Sequence, residues 1–310
     1  MDLICFTKML QPYGAEELIA FARKTGLAGY DLTVRDGHPV TPETIGTDLV
    51  PFVGKLKDAG LRVPLATVGG QALSPGDPAT ETVWAACAEA GIGMIKLGYW
   101  NWTREGPHYW DNVESVRAEL HQYAKLSEKF GVKAVIHTHS AHPWGTPPVL
   151  TSYYGLNASS LMHLIADIDP RHVGAYIDPA HLSLNGEPLE QVLDILKDRV
   201  AIVAAKNMVY QSKADGDTTV WSHEACPLPQ GLVDWRKAVA SLRASGYDGW
   251  LNLHAEYNVR YASVVAGGGR EGIAPPSWGV DPMGNLVETP PALDLLEPDI
   301  AYLAKIVAAP

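Results

Sequence analysis

Asp178 and His181 stand three residues apart in Gly174-Ala-Tyr-Ile-Asp178-Pro-Ala-His181, where Pro179 stops a short apolar run from continuing as a paired central strand. A carboxylate and an imidazole leaving a strand end together can share a hard or borderline cation, or divide the work between an ion and a substrate oxygen. Alone, Asp-x-x-His is as compatible with a turn aspartate beside a surface histidine. The other histidines add the weight. Ala134-Val-Ile-His137-Thr-His139 puts two imidazoles on one side of an extended segment, because side chains alternate with period two. Trp250-Leu-Asn-Leu-His254-Ala-Glu256 repeats the spacing with an imidazole and a carboxylate. His137, Asp178 and His254 are therefore candidate ligands of one divalent cation, against the alternative of a polar network with no ion.

Further reactive groups end apolar runs. Lys8, Lys96 and Lys206 each close a predicted strand, where a lysine can bind a substrate oxyanion or act as a base once desolvation lowers its pKa. A strand-end lysine paired to a carboxylate is the competing reading. Arg35 and His38 form another polar cluster in Thr33-Val-Arg-Asp-Gly-His38. Tryptophans 100, 102, 110, 144, 221 and 278 fall in predicted loops. Indole faces there suit the C–H faces of sugars, Trp144 being the candidate nearest the histidines; loop packing or a subunit interface explains them equally. His254, Glu256, Lys8 and Lys206 are the candidates for moving a proton, and His181, His139, Arg35, His38, Lys96 and Trp144 those for holding a substrate.

The elements that must position these groups follow a repeating phrase of strand, polar loop, helix and glycine. Predicted strands cover residues 3–7, 29–34, 61–67, 94–97, 132–137, 173–177, 200–205 and 250–255. Helices cover 15–24, 48–59, 79–90, 113–130, 159–168, 189–197, 233–244 and 293–307. Several helices stop at a glycine, the residue that takes the left-handed cap without steric cost. The strands are short and nearly continuously apolar, as parallel strands buried on both faces are. Eight alternations point to a single-domain (β/α)₈ TIM barrel over 1–310, whose chemistry belongs at the C-terminal strand ends. An open doubly wound sheet is the rival; the first strand lacks the Gly-x-Gly-x-x-Gly turn expected there. Residues 257–291, rich in Gly and Pro, read as a long irregular segment: a lid, an arm or a flexible stretch.

Composition narrows the function classes. The 310 residues carry a formal charge of −11, which disfavours a nucleic-acid partner. The chain contains neither an 18-residue apolar run nor signal-peptide features, and its three cysteines lack metal-type spacing. A cytoplasmic protein with no membrane partner is expected. Phosphate-cradling, His-Glu-x-x-His and Gly-x-Ser-x-Gly motifs are absent.

The chain resembles the xylose isomerase-like TIM barrels, the sugar-phosphate isomerase/epimerase superfamily. The resemblance runs through Phe6-Thr-Lys8, Asp31-Leu-Thr-Val-Arg35, Asp178-Pro-Ala-His181, Pro227-Leu-Pro-Gln-Gly-Leu-Val-Asp-Trp235 and Gly246-Tyr-Asp-Gly-Trp250. It implies a divalent ion (Mn, Zn, Mg or Co) held by Glu, Asp, His and Glu after strands five to eight, with a histidine three residues after the Asp on the substrate. Asp178 and His181 match that pattern. His137 and His254 stand where the two glutamates would be, and Ala204 where the strand-seven histidine would be. The substitutions put the family's carboxylate acid/base pair in doubt and make the donor set nitrogen-rich. The implied activity is metal-dependent isomerisation or epimerisation, by proton transfer beside a keto-sugar carbonyl through an enediolate. The alternatives are a lyase or dehydratase on a keto-sugar or glycoside, and a non-catalytic sugar-binding or partner subunit, which Ala204 favours. DNA-repair endonuclease chemistry shares this barrel but wants a basic groove. A homo-oligomer is compatible with all of them.

Overall fold

The computed structural model describes residues 1–11, 13–69, 73–144, 149–256, 279–280, 286–287 and 293–309. Eight parallel strands close into a barrel: β1 (Asp2–Phe6), β2 (Gly29–Val34), β3 (Arg62–Val68), β4 (Met94–Lys96), β5 (Lys133–His137), β6 (Val173–Ile177), β7 (Val200–Ala205) and β8 (Trp250–Leu253). Each pairs with its neighbours in chain order, and β8 closes on β1 through Asp2–Trp250 to Cys5–Leu253. The helices are α1 (Ala15–Thr25), α2 (Ile45–Asp58), α3 (Pro78–Glu89), α4 (Tyr109–Phe130), α5 (Ala158–Ile165), α6 (Leu189–Leu196), α7 (Trp235–Ala244) and α8 (Leu293–Ala308).

Local chemistry sets these boundaries. Gly26 (φ 77°) and Gly131 (φ 70°) end α1 and α4 in the left-handed region, their N–H groups donating to Ala22 and Ser127. Asn157 opens α5 through a reciprocal cap with Ser160. Asp77 and Asp234 cap α3 and α7.

The core has two layers. An outer one, including Trp84 and Trp235, packs helices on strands. An inner one of Ile4, Leu65, Val135, Tyr176, Ile202 and Ala204 fills the barrel. Period-two alternation carries this inner set upward. Two steps beyond Ile4, Val135, Tyr176 and Ala204 stand Phe6, His137, Asp178 and Lys206. The packed interior therefore forms the floor beneath the polar groups.

Two additions to the barrel differ from the expected plain loops. After β7 the chain forms an antiparallel hairpin, Asn207–Asp215 with Thr218–Cys226, turning at Gly216 (φ 58°). Its two-residue Gly216-Asp217 turn, with glycine first, is a recognised hairpin signal. Between β4 and α5, residues 101–103, 142–144 and 149–153 build a three-stranded sheet. Most of 257–291, the expected irregular segment, lies outside the described residues, apart from a short pairing of 279–280 with 286–287. Among the described residues, no helix is long and apolar enough to cross a membrane.

Candidate active site

Asp178 is fixed by the helix that follows it. Pro179 occupies the first position of a short helix, Pro179–Leu184, and Asp178 caps it, Oδ1 accepting from Ala180 N (3.0 Å) and His181 N (3.1 Å). That turn brings His181 back beside its own cap, with Nε2 3.7 Å from Asp178 Oδ2. His137, at the end of the adjacent strand, places Nε2 3.5 Å from the same oxygen. Ligand atoms of His137, Asp178 and His254 all lie within 4.8 Å of one another, and all three residues are buried.

His137 Nε2 and Asp178 Oδ2 are buried and make no hydrogen bond to any described residue. Leaving such an atom unsatisfied costs about 1–3 kcal/mol, and two of them facing each other indicate a missing partner. A cation fits. Metal–N and metal–O bonds of about 2.0–2.2 Å hold adjacent ligands roughly 3–3.5 Å apart, close to the His137–Asp178 separation. The protonation states suit it too. Burial, then Lys96 and Lys206, holds His137 well below the usual imidazole range, and burial likewise keeps His254 neutral. Burial raises the Asp178 carboxyl, against the pull of Lys206 and His254. Ala204, buried among the inner-layer side chains, offers no fourth ligand.

The ligand candidates are held in turn. Tyr99 Oη lies 2.8 Å from His137 Nδ1, so a proton on Nδ1 leaves Nε2 free to ligate. Tyr176 Oη lies 2.5 Å from His254 Nε2 and accepts from Asn252 Nδ2 at 2.5 Å. Asn252 also donates to Asp31 Oδ2 (2.8 Å), and Thr67 Oγ1 donates to Asp31 Oδ1 (2.8 Å). Asp31 is fully buried, and burial raises its pKa to about 7. Tyr176→Phe removes this anchor with little change of shape. It is expected to weaken divalent-metal affinity by about 10- to 100-fold, the usual loss for a ligand's hydrogen-bond partner. Competition against a chromogenic chelator measures it.

A second group lies beside the first. Glu256 accepts from Lys206 Nζ at 2.5 Å and Lys8 Nζ at 3.1 Å. Burial alone would raise its pKa, but Lys206 and then Lys8 overcome this and hold the carboxyl well below its usual range. Lys206 Nζ also reaches His181 Nε2 at 3.1 Å. Since an ammonium only donates, His181 accepts at Nε2 and carries its proton on Nδ1, toward Ser140 Oγ at 2.9 Å. His139 stacks on His181 with ring centroids 3.8 Å apart. Lys206 itself is set by its neighbours. Trp235 Nε1 donates to its carbonyl, and the Asn207 side chain clamps the base of the hairpin to Leu228 and Val233.

Lys96 and Arg35 complete the mouth, with His38 half-buried nearby. Burial, then Arg35, lowers the Lys96 pKa from 10.5 to about 8. An unfolded chain binds that proton up to about pH 10.5, so folding forfeits stability below pH 8 and regains it as pH rises between the two values. The cost is on the order of 3 kcal/mol. Lys96→Met is expected to raise thermal stability at pH 7 and to flatten its rise between pH 8 and 10.5, as read by calorimetry across that range.

The mouth thus brings together nearly every residue singled out by sequence. The Trp144 side chain lies outside the described residues, as does Trp278. Of the other tryptophans expected in loops, Trp100 donates to Glu119 on α4, whereas Trp102 lies in the three-stranded sheet, Trp110 in the first turn of α4 and Trp221 on the hairpin, the last two exposed. Sequence reasoning missed Tyr99, Tyr176 and Asn252. Tyr176 and Asn252 each lie two residues before a singled-out position, which on a strand is the same face. Tyr99, in a loop, carries no such signal.

Residues 19–274 match the family model described as xylose isomerase-like TIM barrel. Among curated proteins, an inosose dehydratase from Lacticaseibacillus casei is 25% identical over 159 residues, which are 48% of this chain and 49% of that protein. The match thus spans about half of that relative's length. Among solved structures, a 3-keto-D-glucoside 4-epimerase from E. coli superposes with a TM-score of 0.60 at 17% identity, covering 82% of this chain and 91% of that one. A D-allulose 3-epimerase from Methylomonas sp. does so with a TM-score of 0.59 at 14% identity, covering 82% and 84%. The match covers most of the chain and agrees with the closed parallel barrel, so this protein belongs to the xylose isomerase-like TIM barrel family.

Proposed function

We propose that this chain is a metal-dependent sugar isomerase or epimerase that moves a proton beside the carbonyl of a keto-sugar. The observation that carries the reading is the pair of orphaned buried atoms, His137 Nε2 and Asp178 Oδ2, facing each other beside His254 at the C-terminal strand ends. His137, Asp178 and His254 would hold the ion, which when bound would polarise the carbonyl and stabilise the enediolate charge.

The chain's own groups handle the proton and the hydroxyls. Lys206 Nζ is the group placed to exchange a proton with the substrate: with its own proton passed to Glu256 Oε2 or His181 Nε2, the amine takes the proton beside the carbonyl and returns one to the enediolate. Glu256, held ionised by two ammonium groups, is a weak base and acts as their counter-charge. His181, kept neutral by burial and by Lys206, would present Nε2 to a substrate hydroxyl that takes the place of the Lys206 ammonium. Reprotonation at the neighbouring carbon isomerises, and reprotonation on the opposite face of the same carbon epimerises.

The similarity to an inosose dehydratase favours a second reading on the same site, in which the enediolate expels a β-hydroxyl instead. A panel of keto-sugars in D₂O tests both. Metal-dependent uptake of deuterium at the carbon beside the carbonyl supports the proposal, and release of an unsaturated or deoxy product selects the dehydratase. Turnover unaffected by a chelator, or no exchange with any keto-sugar, would count against it.

A further inference from the structure

The charges in the mouth do not balance. Glu256 is shared by Lys8 and Lys206, whereas Arg35 and Lys96 form no ion pair among the described residues. Lys96 is only 8% exposed, and its Nζ rests over the Tyr99 ring at 4.8 Å from the centroid. Arg35 Nε is buried with no hydrogen-bond partner among the described residues. The Arg35 side chain is pressed against Gly69, where an added Cβ would come within 2.4 Å of its Cγ and 2.6 Å of Nε. Absence of a side chain at residue 69 is what lets the guanidinium lie there. Asp31 and Glu256 act on Lys96 only from beyond ion-pair distance, and burial pushes Asp31 itself toward its neutral form; a buried cation so weakly compensated is costly, and this protein, with a formal charge of −11, has acidic residues to spare elsewhere.

The two cations come from one side of the barrel, the ends of β2 and β4, whereas Asp178 and His254 end or follow β6 and β8. Tyr99 joins the two groups, its ring under Lys96 and its hydroxyl on His137. A substrate with its carbonyl at His137, Asp178 and His254 would reach Arg35 and Lys96 with another part of the molecule. Resting on the proposed sugar chemistry, we infer that the substrate carries an anionic group, a carboxylate or a phosphate, seated on Arg35 and Lys96. The planar guanidinium offers paired N–H donors matched to either group, and Lys96 adds a point charge. His38, kept neutral because burial and Arg35 depress its pKa to about 4, adds no competing charge.

Calorimetric titration of the full chain with D-gluconate, D-fructose 6-phosphate and D-fructose, with and without Mn²⁺, tests this. At least one anionic probe is expected to bind about tenfold or more tighter than D-fructose. That ratio should collapse toward one in Arg35→Gln and in Lys96→Met, and recover in part in Arg35→Lys. Preference for gluconate alone assigns a carboxylate, and preference for the phosphate ester alone assigns a phosphate. Circular dichroism checks folding, and Lys96→Met, expected to be the more stable protein, keeps the test decisive if an Arg35 variant fails to fold. Equal affinity for all three probes, or an anion preference that survives in Lys96→Met, overturns the inference. An anion preference lost in the variants of a protein that exchanges deuterium with no keto-sugar would uphold this subsite while removing the sugar chemistry.

Discussion

Asp178→Asn is expected to abolish metal binding at micromolar ion and to lower turnover by about 10³-fold or more, in line with losing a main electrostatic contributor. The substitution isolates one atom's role. Asparagine caps a helix about as well as aspartate, so its carbonyl oxygen can still accept from Ala180 and His181 and the Pro179–Leu184 helix should persist. What disappears is the negative charge at Oδ2, the oxygen that faces His137 Nε2 without a partner. Global stability should change little or rise, because a buried charge is removed. Equilibrium dialysis, turnover and a melting curve on one preparation separate these effects. A folded variant that still binds the ion as the parent does would remove Asp178 from the ligand set.

Lys206→Met is expected to separate binding from proton movement. The methionine roughly keeps the volume but removes the donor to both Glu256 Oε2 and His181 Nε2. Turnover should fall by about 10²–10⁴, the range for a positioned acid–base group. Metal affinity should be kept or rise, since Lys206 bonds to none of the three ligand candidates and its charge, which acts on all three, opposes a bound cation. Glu256 would retain only Lys8, so its carboxyl pKa should rise toward the ordinary range. An infrared titration of the carboxylate band, beside kcat and KM, reads both consequences. Unchanged turnover with a shifted Glu256 would reduce Lys206 to a structural ion-pair partner.

Much of this arrangement was legible in the sequence, for a geometric reason. Strands of a barrel alternate in and out, so a polar residue ending an apolar run such as Ala134-Val-Ile-His137 sits at the rim above a filled interior. His137, Asp178, Lys206 and His254 all follow that rule. The glycines after α1 and α4 marked helix ends because left-handed backbone there disfavours other residues. Partnerships were harder to see. That Glu256 lies between Lys8 and Lys206, about 250 and 50 residues away in sequence, depends on side-chain reach across a closed barrel. Tyr99 reaches His137 from a loop whose course no periodicity predicts. The hairpin over 207–226 carries a signal in its Gly216-Asp217 turn and its Val and Trp residues, which the barrel rhythm of strand and helix does not single out.

The central claim is that an ion belongs between His137 Nε2 and Asp178 Oδ2. Anomalous diffraction from crystals grown with Mn²⁺ tests it directly. The account predicts one strong peak within bonding distance of both atoms and of His254. Density showing these side chains bonded to one another or to ordered water, in crystals where Mn²⁺ peaks appear only elsewhere, would contradict it.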